Sequence, residues 1–313
     1  MNKYLVAILI LFGSTPIFAQ YFSGELKYTM KIIPKVDGLN IDSIRLAKLG
    51  SEFSYLITSG YYKSSYFKND TLTYSYTYHS DSKRMFDESA GKDYITYRDS
   101  RKGNTSRIRT IVYRDSIKEV VGHPCFMVER VYENYIDKTY YAKDMKIDVE
   151  SFKDHEVGDW YNQIKEVGGA LSLMSVNEYT THLEIHQVIR IDERDVKEEE
   201  FRLPKSKPVV AASTALDKMV QLKQPGEEAV SCYKSKMAQA PLTLLSQDVV
   251  CYVGFIVSES GQISHLEAYE KDEYELYKIA LDIMSTCGIE FSPGQIAGKD
   301  VSSWVYFPIE FVR

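Results

Sequence analysis

Three side chains able to hold a metal or move a proton alternate along one short stretch, His182-Leu183-Glu184-Ile185-His186. Read as a strand, the stretch puts His182, Glu184 and His186 on one face at intervals of about 7 Å. Two imidazoles and a carboxylate are a donor set for metal-assisted hydrolysis, yet at that spacing they share one ion only with strong local twist or a further ligand. The same alternation describes the polar face of an amphipathic strand. Leu183 and Ile185 then form the other face, and Val188 joins them after a slip in register. His123 and Cys125 bring an imidazole near a thiol, but two positions apart on a strand they lack a third group to orient the base. Asp154, His155, Glu156 and Asp159 cluster near Trp160 and read as a solvated loop. No nucleophile elbow, phosphate-binding loop or dinucleotide fingerprint occurs. No residue set for catalysis, a cofactor or a metal emerges, and the expectation is a non-enzymatic protein.

The ends and the composition bound the setting. Met1-Asn2-Lys3, an apolar run from Tyr4 to Phe12 and the break leading to Phe18-Ala19-Gln20 describe a cleavable export signal. Cleavage is expected after Ala19, leaving Gln20 first and placing the protein in the periplasm or outside the cell. The apolar run is too short to cross a bilayer, which needs about 20 helical residues. The formal charge of −6 becomes about −7 once Lys3 is removed, with basic residues scattered among acids. Nothing resembles a nucleic-acid-binding stripe. Four cysteines, Cys125, Cys232, Cys251 and Cys287, allow three disulfide connectivities in an oxidising compartment, and none forms a Cys-x-x-Cys pair.

These residues must be positioned by elements whose pattern is mostly β up to about Pro204. Glu25–Ile32 alternates polar and apolar, as a half-buried strand does. Leu72, Tyr74, Tyr76 and Tyr78 share one strand face. Further strands are expected at 107–113, 125–132, 138–142 and 180–192. Ile41–Thr58 has helix-like spacing through Ile44, Leu46, Leu49, Phe53, Leu56 and Ile57. The 25 tyrosines suit sheets whose side chains meet both core and water. Residues 205–224 read as a linker carrying Pro208 and a run of small residues. Pro225-Gly226-Glu227-Glu228 opens a helix with Ala229, Val230, Tyr233 and Met237 inward.

Beyond that helix come a strand, Cys251-Tyr252-Val253-Gly254-Phe255-Ile256-Val257, a turn at Ser258–Gly261 and a return strand from Ile263. Asp272 and Glu275 have capping-box spacing ahead of a helix whose apolar stripe is Leu276, Ile279, Ala280, Ile283, Met284 and Cys287. Phe291-Ser292-Pro293-Gly294, Gly298-Lys299 and a closing strand at Trp304–Phe311 complete the order. This order resembles the C-terminal domain of TonB. The resemblance implies a small two-helix, three-stranded antiparallel domain at 225–313 that binds a protein or peptide, with an outer-membrane protein as one such partner. Strand addition would then use the closing edge, with Ser302, Trp304, Tyr306, Pro308 and Glu310 along it. Packing by these aromatics is the alternative. That topology also brings Cys232 towards Cys287, although free buried thiols remain open.

In the N-terminal part, Glu119-Val120-Val121-Gly122-His123-Pro124-Cys125, Thr139–Met145, Gly168-Gly169-Ala170-Leu171 and Phe201-Arg202-Leu203-Pro204 occur in an order similar to secreted Bacteroidota proteins of the GLPGLI type. Through them it is similar to LolA-like carriers. The resemblance implies an α+β fold in which residues 20–204 form a large antiparallel half-barrel with one or two helices. A lipid, lipoprotein or hydrophobic peptide would be held on its concave face.

Overall fold

Period-two alternation becomes strands through most of this chain. The computed structural model describes residues 21–41, 44, 49–103 and 107–313, so the expected signal segment lies outside the described residues. The first half contributes β1 (Gly24–Pro34), β2 (Glu52–Thr58), β3 (Tyr61–Lys68), β4 (Thr71–His79), β5 (Arg84–Ser89) and β6 (Ile95–Asp99). Next come β7 (Arg109–Val120), β8 (His123–Val131), β9 (Tyr135–Lys146), the short helix α1 (Trp160–Glu166), β10 (Ala170–Tyr179) and β11 (His182–Glu193). The remainder supplies β12 (Val209–Ala212), β13 (Gln221–Leu222), α2 (Glu227–Met237), β14 (Val249–Val257), β15 (Ile263–Ala268) and α3 (Leu276–Thr286). Short β16 (Phe291–Ser292), β17 (Gly294–Ile296) and β18 (Lys299–Val301) precede the closing β19 (Ser303–Phe311). The class is α+β, a large and mostly antiparallel sheet with few helices. No helix among the described residues is long and apolar enough to cross a membrane.

The stretch 41–58 corrects one expectation. Its second half is β2, paired to β1 and β3, while most of 42–48 lies outside the described residues. Half-burial on both faces of β2 hides the alternation that would have marked it as a strand. On β11 the partner register with β1 shifts by one residue between Val188 and Arg190. That bulge turns Val188 fully inward and leaves Ile189 exposed.

One continuous sheet runs in the order β15-β14-β19-β12-β6-β5-β4-β3-β2-β1-β11-β10-β9-β8-β7. The stretch expected to be a linker therefore carries a structural strand. β12 pairs in parallel with β6 on one side and with Ser303 and Trp304 of β19 on the other. Tyr94 stacks on Trp304 at 4.7 Å between ring centroids, and Lys92 pairs with Glu267, so side chains reinforce that seam. Gly254 is required beneath it, because a Cβ there would sit 2.4 Å from the Trp304 ring.

The C-terminal elements form two helices on the antiparallel order β15-β14-β19. Val253, Phe255, Val257, Ile283, Met284 and Phe311 bury one face. Asp272 accepts backbone N–H bonds from Tyr274, Leu276 and Tyr277 at 2.9–3.0 Å, while Glu275 takes the left-handed residue just before α3. The helix start is thus satisfied by Asp272 alone rather than by a reciprocal capping box. None of the residues of α2 is fully buried, and Val230 points to solvent rather than inward. A disulfide joins Cys232 of α2 to Cys287 at the end of α3, with Cα atoms 5.3 Å apart. Cys125 and Cys251 are free and buried.

With so little apolar anchoring, α2 depends on that bond. Cys232→Ala with Cys287→Ala opens a loop of 55 residues, and chain-entropy reasoning gives a loss of about 2–4 kcal/mol. Hydrogen exchange of the α2 amides should accelerate in the double variant while β1 to β4 stay protected. Unchanged protection in α2 would contradict this role.

Candidate ligand-binding cleft

The strands β4, β2, β1, β11, β10 and β9 contribute residues to one cleft of about 330 Å³ roofed by α1. β4 and β9 are six ladder steps apart in the sheet, about 29 Å along a flat one. Both line the same cleft, so the sheet curls across its width and its concave face looks at α1. Tyr28, Phe53, Tyr55, Tyr76, Tyr132, Tyr135, Tyr141 and Trp160 supply aromatic walls. Asp137, Thr139, Gln163, Ser172, Ser175, Asn177 and His186 supply the polar ones.

Each wall is fixed from behind. Tyr28 stacks on Phe53 at 4.3 Å and donates its hydroxyl hydrogen to the Ser172 carbonyl at 2.7 Å. Trp160 lies parallel to Tyr62 at 5.5 Å and to Phe152 at 5.2 Å, which seats α1 on the sheet. His155 sits fully buried under this roof, its Nε2 2.5 Å from the Tyr62 hydroxyl and its ring stacked 4.3 Å from Tyr78. Burial, with Arg98 nearby, pushes its pKa down to about 3, so the ring is neutral. The reading of 154–159 as a solvated loop is thereby corrected: His155 and Asp159 are interior groups. Their burial depends on partners far away in sequence, Tyr62 for His155 and Arg107, 3.1 Å away, for Asp159.

A buried ionic cluster backs the polar wall. Arg130 is fully buried and donates to the Tyr141 hydroxyl at 2.9 Å, to Glu166 at 3.2 Å and to Asp137 at 3.4 Å. Thr139 donates to both Asp137 oxygens, at 2.7 and 2.9 Å. Burial pushes the Asp137 carboxyl above its ordinary range, opposed by Thr139 and Arg130. Tyr141 is pushed up to about 12 by burial and stays a neutral phenol. The Tyr55 hydroxyl is buried with no hydrogen-bond partner among the described residues, and it lines the cleft.

The residues singled out for chemistry separate. Glu184 and His186 meet at 2.8 Å, but His182 stacks on Tyr179 at 4.5 Å, and only His186 reaches the cleft. No group of three or more metal-type ligands occurs among the described residues. The His123 Nδ1–H donates to the Asp144 carboxylate at 3.0 Å, and burial pushes the Cys125 thiol up to about 11, away from the reactive thiolate.

The closing strand divides along its length. Ser302 and Trp304 belong to the seam: the Ser302 carbonyl accepts from Ala211 at 2.9 Å, and Trp304 is buried against Tyr94. Trp304 is thus a packing residue, which corrects its expected place on an open edge. Tyr306, Pro308 and Glu310 are exposed. The Ser302 carbonyl points towards β12, and backbone groups two residues apart share a side, so the missing N–H of Pro308 faces the open side of β19. The β14–β19 ladder runs unbroken past it. Beside that edge lies a groove of about 350 Å³ lined by Leu222, Ala229, Val230, Tyr233, Phe307 and Pro308.

No protein-family model matches the chain, and no curated protein matches it. Among solved structures it is similar to PNGF-II. In a C2 crystal form the TM-score is 0.37 at 6% identity, covering 76% of this chain and 44% of that one. In a P21 form the values are 0.35 and 8%, covering 92% and 62%. A LolA superfamily protein, NE2245 from Nitrosomonas europaea, matches at 0.28 and 5%, covering 58% of this chain and 90% of that one. The chain spans less than two thirds of the PNGF-II chain in both forms.

Proposed function

We propose that this is an exported, non-enzymatic binding protein that holds a small amphiphile, such as the acyl part of a lipid or lipoprotein or a hydrophobic peptide, in the cleft beneath α1. One observation carries the reading: a curled sheet and a short helix enclose a preformed, aromatic-walled space of about 330 Å³ with hydrogen-bonding groups along one side. That volume is at the lower end of the 300–1,000 Å³ found for small-molecule sites. The rings are immobilised by stacking before any ligand arrives, which lowers the ordering cost of binding.

Trp160 lines the cleft and Trp304 does not, so fluorescence in a Trp304→Phe background reports the site directly. Titration of the chain from Gln20 with monolaurin, an uncharged amphiphile, should change Trp160 emission saturably. Ser175→Phe fills the cleft from β10 and should weaken binding at least tenfold while leaving the unfolding free energy within about 1 kcal/mol of the parent. Equal affinity in both proteins would refute the site.

A second reading gives the C-terminal unit a partner-binding role at the envelope. Its support is the apolar groove between α2 and the free side of β19. Pro308 removes one donor from that edge, so side chains filling the groove would contribute more than a complete added ladder. A photo-crosslinking residue at Val230 should capture one defined outer-membrane or periplasmic chain in intact cells, and the same residue at Tyr269 should not. Equal capture at both positions would remove this reading.

A further inference from the structure

We infer that the cleft selects amphiphiles with a cationic or hydrogen-bond-donating head and rejects those headed by a free carboxylate or phosphate. The inference rests on the cleft being the binding site and adds the chemical class of its ligand.

Among the described residues no lysine or arginine lines the cleft, whereas Asp137 does. The two arginines behind the wall are already engaged. Arg130 serves Asp137, Glu166 and Tyr141, and Arg107 serves Asp159 and Glu166, both at 3.1 Å. Glu184 adds a fourth carboxylate, held by His186. Among the described residues, Arg107 and Arg130 thus stand with Asp137, Asp159, Glu166 and Glu184 around the polar wall. An anionic head entering here would shed its hydration next to Asp137 and gain no free cation. An ammonium or amide head instead finds a carboxylate acceptor and the faces of Tyr55, Tyr76 and Tyr132, whose negative π surfaces attract cations. Thr139, Ser175 and Asn177 provide acceptors for further donors.

The test uses the chain from Gln20 with Trp304→Phe, Trp160 fluorescence and three probes of equal chain length below their micelle concentrations at pH 7.5. These are dodecyltrimethylammonium, monolaurin and laurate. The expected order is the ammonium tightest and laurate at least tenfold weaker. Asp137→Asn should shrink that gap to below threefold, weakening the ammonium and tightening laurate. Asn177→Lys places a cation on the cleft wall opposite Asp137 across the β9–β10 ladder, leaves Arg130 and its partners unsubstituted, and should also raise laurate affinity, which keeps the test open if Asp137→Asn fails to fold. Laurate binding as tightly as the ammonium in the parent overturns the inference. So does a gap that neither variant narrows. Failure of monolaurin itself to bind refutes the cleft as a site, a result distinct from a loss of head selectivity.

Discussion

Replacing Arg130 with alanine should cost the N-terminal sheet about 3–5 kcal/mol, the scale observed when one member of a buried ion pair is removed. Arg130 has no solvent exposure, and its guanidinium holds Asp137, Glu166 and Tyr141 together. Its loss leaves Asp137 buried with only Thr139 to satisfy it. Urea unfolding followed through Trp160 in the Trp304→Phe background reads this directly. The deficit should shrink as pH falls, because protonating Asp137 removes the uncompensated charge, and burial already favours that proton. Arg130→Met combined with Asp137→Leu should recover more than half of the loss, since apolar groups of similar volume replace a buried pair at little cost. A single variant as stable as the parent would mean that the cluster adds nothing to the roofed sheet.

Acid should destabilise the same region through His155. Above about pH 6.5 the imidazole is neutral in both folded and unfolded chains, and it contributes no pH dependence. Below that value the unfolded chain takes up a proton that the folded chain refuses until about pH 3, because burial between Tyr62, Tyr78 and Trp160 depresses the folded pKa. Stability therefore falls with falling pH across this window, by up to about 1.4 kcal/mol per unit. His155→Gln keeps a polar group near the Tyr62 hydroxyl and cannot take the charge. Unfolding midpoints of parent and variant, measured from pH 7.5 to 4, should converge and then cross as pH falls. Parallel profiles would contradict a neutral buried imidazole.

Much of the C-terminal unit was legible because single elements carry their own evidence. Cys251, Val253, Phe255 and Val257 alternate on a strand with one buried face, and Leu276, Ala280, Ile283 and Met284 recur at helical spacing. β2 was not legible, since Phe53 and Tyr55 face a half-open cleft and blur the alternation. β12 is four residues long, too short for periodicity to mark, and its role depends on strands about one hundred residues away on either side. The cleft shows the same division. Tyr74, Tyr76 and Tyr78 announced an aromatic strand face, but not that Tyr76 would meet Asp137 and Trp160 around one space. His155, Asp159 and Arg130 are polar residues that local sequence assigns to water. Only pairing across the fold explains their burial.

The proposed role requires that the space beneath α1 hold an amphiphile. Native mass spectrometry of the protein purified gently from the cells that make it reads this occupancy, alongside the Ser175→Phe variant. The expected spectrum shows a species carrying one non-covalent small amphiphile with a neutral or cationic head, absent from the variant. Ligand-free mass alone in both proteins, or the same adduct on both, would contradict it.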